Sequence, residues 1–162
     1  IWMGESDNSM MIDSIIDNAD VFNSMPCSLN VFNSKIDRIN NRLKFRKIKK
    51  KIKYSLETQI LITSNKKETL QKLRQFTALK KYNSSEDLDI IKQLKKTGLE
   101  SSNFQNLDFL IDQFIIGDEK EVINKIQEYI NKGVSHFMIW FMDFPNYNSF
   151  NKFSKKVMPY FK

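Results

Sequence analysis

Gly117-Asp118-Glu119-Lys120-Glu121-Val122, running on through Ile126, Tyr129 and Ile130 to Gly133 and then into Phe137-Met138-Ile139-Trp140-Phe141, is the stretch that decides the fold. Asp118 and Glu121 have the spacing of a capping box, in which the first side chain accepts from the N–H three residues on and the second reaches back. Val122, Ile123, Ile126, Tyr129 and Ile130 then recur on one helical face. Gly133 stands where a helix is expected to stop. The run 137–141 is apolar on both faces, the pattern of a parallel strand covered on both sides. A capped helix feeding such a strand is one repeat of a parallel α/β sheet.

Working outward, the same alternation recurs. Ile1-Trp2-Met3 is a short apolar run ended by Gly4, with Ser6, Asp7 and Asn8 placed to cap a helix whose inner face is Met11, Ile12, Ile15 and Ile16. Ala19 to Asn23 reads as a second strand, stopped at Ser24-Met25-Pro26. Leu29, Phe32, Ile36, Ile39 and Leu43 are spaced 3, 4, 3, 4, an amphipathic helix. Tyr54 to Thr63 reads as the third strand. Residues 65–113 carry helical stripes, Leu70/Leu73/Phe76 and Leu88/Ile91/Leu94, broken at Asn83-Ser84-Ser85, and look like a helical insertion. After Asp143-Phe144-Pro145 a last helix is expected to bury Phe150, Phe153 and Val157. Four strands are counted, half of those that close a (β/α) barrel.

The 162 residues suit one domain, and 41% hydrophobic with 28% charged residues is ordinary for a folded chain. No apolar run approaches the ~20 residues that span a bilayer. A single cysteine, Cys27, makes no internal disulfide and fits a reducing cytosol. The net charge of +7 is local. From Lys35 to Lys53 there are ten Lys or Arg against Asp37 alone, so this block carries +9 and the remainder −2. With no stacking aromatics or recognition motif beside it, the block reads first as a solvated helix end and loop, which argues against a nucleic-acid partner. Polyanion contact through Lys35–Lys53 is the weaker alternative.

Two segments resemble luciferase-like monooxygenases. Ile1-Trp2-Met3-Gly4-Glu5-Ser6, a helix, and Ala19-Asp20-Val21-Phe22-Asn23 are similar to a family stretch of the form I-W-[IV]-G-G-S-G followed by A-D-G-W-N. Gly117 to Val122, Lys132-Gly133-Val134-Ser135-His136-Phe137, Asp143-Phe144-Pro145 and Val157-Met158-Pro159 are similar to its end. The resemblance runs collinearly over the chain. It implies that residues 1–162 are the C-terminal half, about four βα units, of a TIM-type (β/α) barrel, with the insertion before its last strand. Ile1, with neither initiator Met nor leader before it, would then lie in or just before the fifth strand, and the N-terminal half would be absent. Glu5 and Val21 stand where the family has glycine, and Lys120 stands near the family's proline.

The resemblance also implies an oxidoreductase or monooxygenase using FMN or a deazaflavin coenzyme on a small organic substrate, cytoplasmic, and inactive without the missing half or a second copy to cover its open strand edges. Barrel chemistry sits at the C-terminal strand ends, here Gly4-Glu5-Ser6, Asn23-Ser24-Met25, Thr63-Ser64-Asn65 and Met142-Asp143. Gly4, Glu5, Ser6 and Asn23 are the cofactor-binding candidates, Gly4 and Ser6 matching the position that holds the flavin phosphate or adjoining chain. A glycine turn into a helix N-terminus suits phosphate, although Gly4 as a plain turn and Ser6 as a plain cap would look the same. His136, the only histidine, is expected to be structural, and Asp143 to be an Asx-turn acceptor before Pro145. One of Trp140 and Phe141 should face into the barrel and the other toward helices. No metal constellation is present, and no catalytic residue is assigned. Glu5 and Val21 motivate a second reading, a non-catalytic half-barrel remnant whose role is assembly.

Overall fold

The structure, a computed structural model, describes residues 1–4, 9–82 and 107–161. Its elements are β1 (Trp2–Gly4), α1 (Ser9–Asn18), β2 (Val21–Ser24), α2 (Leu29–Phe45), β3 (Lys53–Ile62), α3 (Lys66–Tyr82), α4 (Leu107–Gln113), β4 (Ile115–Gly117), α5 (Glu119–Asn131), β5 (Val134–Phe141) and α6 (Asn148–Lys152). A π-helical turn, Phe153–Val157, and a 3-10 turn, Met158–Phe161, end the chain. The strands pair in the order β1-β2-β3-β4, with β5 also on β3. The registers of β1·β2, β2·β3 and β3·β4 are parallel. This is the α/β architecture with a parallel sheet that the alternating periodicities predict.

The chain divides into two compact units, residues 1–58 with 126–139, and residues 59–125 with 140–162. In the first, Ile15, Ile16, Ala19, Phe22, Ile39, Leu43 and Ile52 form a buried cluster, with Met3, Ile12 and Tyr54 packed against it. The predicted stripe of α2 is borne out: Phe32, Ile36, Ile39 and Leu43 are all buried. Its start is fixed by Ser28, whose hydroxyl accepts from Val31 N at 3.4 Å. Its end is fixed by Lys47 at φ 55, with Ile48 N donating to Leu43 O at 3.0 Å, the arrangement that satisfies a helix's last carbonyls. Arg42 grips Asp13 of α1 with two hydrogen bonds of 2.8 Å, and Arg46 pairs with Asp17 at 2.9 Å. Lys50 donates to the Ile16 and Asp17 carbonyls, and Lys35 to Ser24. Two side chains of the basic block, Arg42 and Arg46, therefore tie α2 and its C-terminal end to α1, and Lys50 from the following loop closes on the end of α1.

In the second unit, Leu61, Leu73, Leu110, Phe114 and Ile116 form the buried cluster. The capping box is present as predicted: Asp118 N donates to Glu121 Oε2 at 2.8 Å and Glu121 N to Asp118 Oδ1 at 2.9 Å. Lys125 runs back to donate to the carbonyls of Ile111, Asp112 and Phe114 at 2.6–2.9 Å, closing the C-terminal end of α4.

Three expectations are corrected. Five strands are present rather than four, because Ile115-Ile116-Gly117 pairs with Ile60-Leu61-Ile62. A three-residue strand buried on both faces carries no alternation by which to recognise it. The last strand is not covered on both faces: Met138 and Trp140 are 39% and 67% exposed, while Phe141 packs edge-to-face on Phe150 and Phe153. At the chain's end Val157 is buried, but Phe150 remains half exposed, meeting Phe141 and Tyr147 edge-to-face. The caps expected at residues 6–8, and the stripe Leu88/Ile91/Leu94 with its break at Asn83, lie outside the described residues. Among the described residues no helix is long and apolar enough to cross a membrane.

Candidate functional site

The strand registers of the first unit bring one row of residues together. Gly4 is level with Asn23, and Asn23 with Ser55, across three adjacent strands ~4.8 Å apart. Level partners in a parallel pair share a face, and consecutive residues alternate faces. The row before it, Met3-Phe22-Tyr54, belongs to the cluster formed with α1 and α2. Gly4, Asn23 and Ser55 therefore look out from the opposite face.

That opposite face is concave. β2 and β3 stand between β1 and β5 in the sheet, so four flat strands would hold the outer two ~14 Å apart. Yet Trp2 of β1 and His136 of β5 meet edge-to-face with ring centroids 4.9 Å apart. The sheet curls until its outer strands touch through these rings. Trp2 is two residues before Gly4, on the same face, so the pair forms a floor one layer below the Gly4-Asn23-Ser55 row.

Above the floor the chemistry is unfinished. Ser55 is fully buried and its Oγ has no hydrogen-bond partner among the described residues; the same holds for the buried Asn23 Oδ1. A buried polar atom left unpaired costs about 1–3 kcal/mol, so two neighbours in one row call for a reason. Beside them, a Cβ added to Gly4 would meet nothing within 4 Å. The row thus offers space at β1, a side-chain amide at β2 and a hydroxyl at β3.

Of the predicted cofactor residues, Gly4 and Asn23 are brought side by side, while Glu5 and Ser6 lie outside the described residues. Ser55 is the residue sequence reasoning missed. It stands between Tyr54 and Leu56 in a strand that also carries Glu57, Thr58 and Gln59, so its residue type alone does not mark it. His136 lies inside β5 rather than before it and has a ring partner in Trp2, in keeping with a structural role.

The strand ends of the second unit are occupied with capping. Thr63 and Thr69 share a 2.6 Å hydroxyl contact. Glu68 accepts from Ser64 N at 2.7 Å, and Asn65 Oδ1 accepts from Glu68 N at 3.0 Å, a capping box at the start of α3. The Ser64 N–H and the nearby Lys72 ammonium hold the Glu68 carboxyl down at about 2. Asp143 is not an Asx-turn acceptor before Pro145: its Oδ2 accepts from Ser149 N at 2.9 Å, because the chain folds back to start α6 beside it. Among the described residues no group of three His, Cys, Asp or Glu could hold a metal ion. A shallow groove of about 720 Å³ along α3 is lined by Lys67, Leu70, Gln71, Arg74 and Gln75. All five come from one helix, so no groups converge on it.

No family model matches the sequence, and no curated protein matches it. Solved structures do match. The coenzyme F420 dependent tetrahydromethanopterin reductase from Methanopyrus kandleri aligns with 99% of this chain at 17% identity and TM-score 0.63. A long-chain alkane monooxygenase, LadA, aligns with 99% at 18% identity and TM-score 0.69. The oxygenating constituent of 3,6-diketocamphane monooxygenase from Pseudomonas putida, solved with FMN, aligns with 98% at 14% identity and TM-score 0.61. This chain covers 50%, 40% and 47% of those chains, so it spans about half the length of the proteins it matches. The likeness shows the fold: part of a TIM-type (β/α) barrel, as the collinear resemblance implied.

Proposed function

We propose that this chain is the strand-five-to-eight half of a luciferase-like oxidoreductase that uses FMN or a deazaflavin on a small organic substrate. One observation carries the reading: nearly the whole chain follows the fold of oxidoreductases whose names specify coenzyme F420 or FMN. Its own residues fit such a group. The space beside Gly4 admits a ring or chain against bare backbone, and the unpaired Asn23 and Ser55 oxygens await polar ligand atoms. When bound, the flavin or deazaflavin supplies hydride or oxygen-transfer chemistry. The chain's part is to hold it. Gly4 permits close approach, Gly4 with Glu5 and Ser6 flanks the phosphate-bearing chain, and Asn23 fixes a polar edge.

On this reading the free edge of β1 is covered by further barrel strands, from the remaining half or from a second copy. Fluorescence titration of the full chain with FMN and with the deazaflavin, alone and with a supplied N-terminal half, tests it. Micromolar binding in either format supports the oxidoreductase. Absence of binding in both overturns it and leaves the assembly role suggested by Glu5 and Val21.

A further inference from the structure

The basic block keeps a part that the fold does not use. Arg42 and Arg46 are taken by Asp13 and Asp17, Lys50 by carbonyls at the end of α1, and Asp20 by the N-terminal ammonium. Lys44, Lys47, Lys49 and Lys51 are exposed, and their ammonium groups make no ion pair or hydrogen bond among the described residues. Attraction to the negative end of α2 accounts for Lys44 in its last turn but fades beyond that turn. Nor can the loop spread its charges. Ile52 is buried in the α1–α2 cluster, Ile48 packs against it, and Lys50 is bound between them. From Lys49 to Tyr54 each odd position is exposed and each even one turned inward. Alternate residues of an extended chain lie roughly 7 Å apart, so Lys49, Lys51 and Lys53 stand in single file, led in by Lys47 at the turn. Like charges held in a file repel one another, and a partner with regularly spaced negative charge relieves that repulsion.

At the head of the file stands Phe45. In the sequence it passes for one more apolar residue of α2; in the structure it is 76% exposed. Its ring is nevertheless held. The Arg42 guanidinium lies over it, 5.4 Å from the centroid, and is itself fixed by two hydrogen bonds to Asp13. One face is covered, the orientation is set, and the other face is open. Fixed cations in a file beside an oriented aromatic face suit a single-stranded nucleic acid: phosphates follow the charges and an unstacked base lies on the ring. A duplex keeps its bases stacked within itself and has no use for Phe45. A lipid surface is broad and calls for several apolar anchors rather than one ring.

We propose that Lys47, Lys49, Lys51 and Lys53 form with Phe45 a binding site for single-stranded nucleic acid, the lysines following the phosphates and the Phe45 ring stacking one base. The site lies at the N-terminal end of β3, away from the strand ends where barrels place their chemistry, and does not depend on the oxidoreductase reading.

The test is fluorescence anisotropy of the full chain with a labelled oligothymidylate and with a duplex of the same length, beside co-sedimentation with phosphatidylserine vesicles. The oligothymidylate should bind, its log affinity falling against log salt with a slope of about −3, the value for four phosphates. Lys49→Gln with Lys51→Gln should reduce that slope by about 1.4. Lys66→Gln with Lys67→Gln, the same loss of charge on α3, should leave it unchanged. Phe45→Ala should weaken the single strand by about tenfold and the duplex not at all. Its Tm should match wild type because the ring is exposed, and Phe45→Trp should restore binding. No binding of the oligothymidylate, a duplex bound as tightly, or wild-type affinity in Phe45→Ala overturns the site. So does an equal fall in slope for the α3 pair, which would mean that net charge alone is felt. Vesicles bound in place of the oligothymidylate would assign the file to a membrane surface and overturn it as well.

Discussion

Trp2 and His136 cross at 88° with their ring centroids 4.9 Å apart, although β1 and β5 have two strands between them in the sheet. The contact reports the curl of the sheet, and it should be measurable as an energy. Edge-to-face aromatic pairs contribute about 0.5–1.5 kcal/mol beyond the area they bury. A double-mutant cycle with Trp2→Ala and His136→Ala, read by urea unfolding, should give a coupling in that range. Additivity of the two substitutions would mean that the rings do not meet in solution.

The Tyr129 hydroxyl donates to Cys27 O at 2.6 Å from a side chain 1% exposed, and its ring lies edge-to-face on Phe32. Tyr129→Phe keeps the ring and removes the donor, so the loss should be about 1–3 kcal/mol, the cost of disturbing a buried hydrogen bond. Tyr54→Phe is the control. Its hydroxyl donates to Asn40 Oδ1 in an exposed position, and its removal should shift the urea midpoint by much less.

What the sequence made legible, and what it hid, follows one rule: local period is readable and lateral neighbourhood is not. The 3, 4, 3, 4 stripe of α2 buries as predicted, and the Asp118/Glu121 box closes as predicted, because both are set within a few residues. β4 was invisible because it is three residues long. The Asn65/Glu68 box was within the same reach but sits at the edge of a long insertion, where the helix start was not marked. Gly4 and Asn23 were nominated through resemblance to a family. Their meeting with Ser55 depends on the registers of three strands, with Ser55 lying more than thirty residues beyond Asn23. Nothing at position 55 alone announces it.

Glu68 predicts an acid limit. Its carboxyl falls from 4.5 to about 2, first because Ser64 N donates to it and then because Lys72 lies 3.1 Å away. A pKa depressed in the folded state gives stability that is fully present above the unfolded value and is lost as pH falls through the folded one. The window is therefore about pH 4.5 down to about 2. Glu68→Gln should flatten the pH dependence of Tm within that window relative to wild type. The side chain is one-third exposed, so the effect will be modest and will shrink in salt. An unchanged slope in Glu68→Gln would show that the carboxylate is not held by the helix start.

Gly117 and Gly4 end strands in the same way but should respond oppositely to alanine. Gly117 has φ 154, and an added Cβ would fall 2.7 Å from the Glu121 Cβ and 2.4 Å from its Oε2. The carboxylate could swing away, but only by giving up its bond to Asp118 N; the Glu121 Cβ is fixed by α5. Gly117→Ala must then strain the backbone or break the capping box, at about 1–3 kcal/mol. At Gly4 the same methyl group meets nothing within 4 Å, so Gly4→Ala should unfold at the wild-type urea concentration or slightly above it. The space it fills is the space in which a ligand would approach the backbone of β1. Gly4→Ala should therefore weaken FMN by about tenfold, the scale of a lost close contact, with stability intact. If Gly4→Ala bound FMN as wild type does, the cofactor would not pass over Gly4. If Gly117→Ala were as stable as wild type, the approach of Glu121 would be looser than the structure has it.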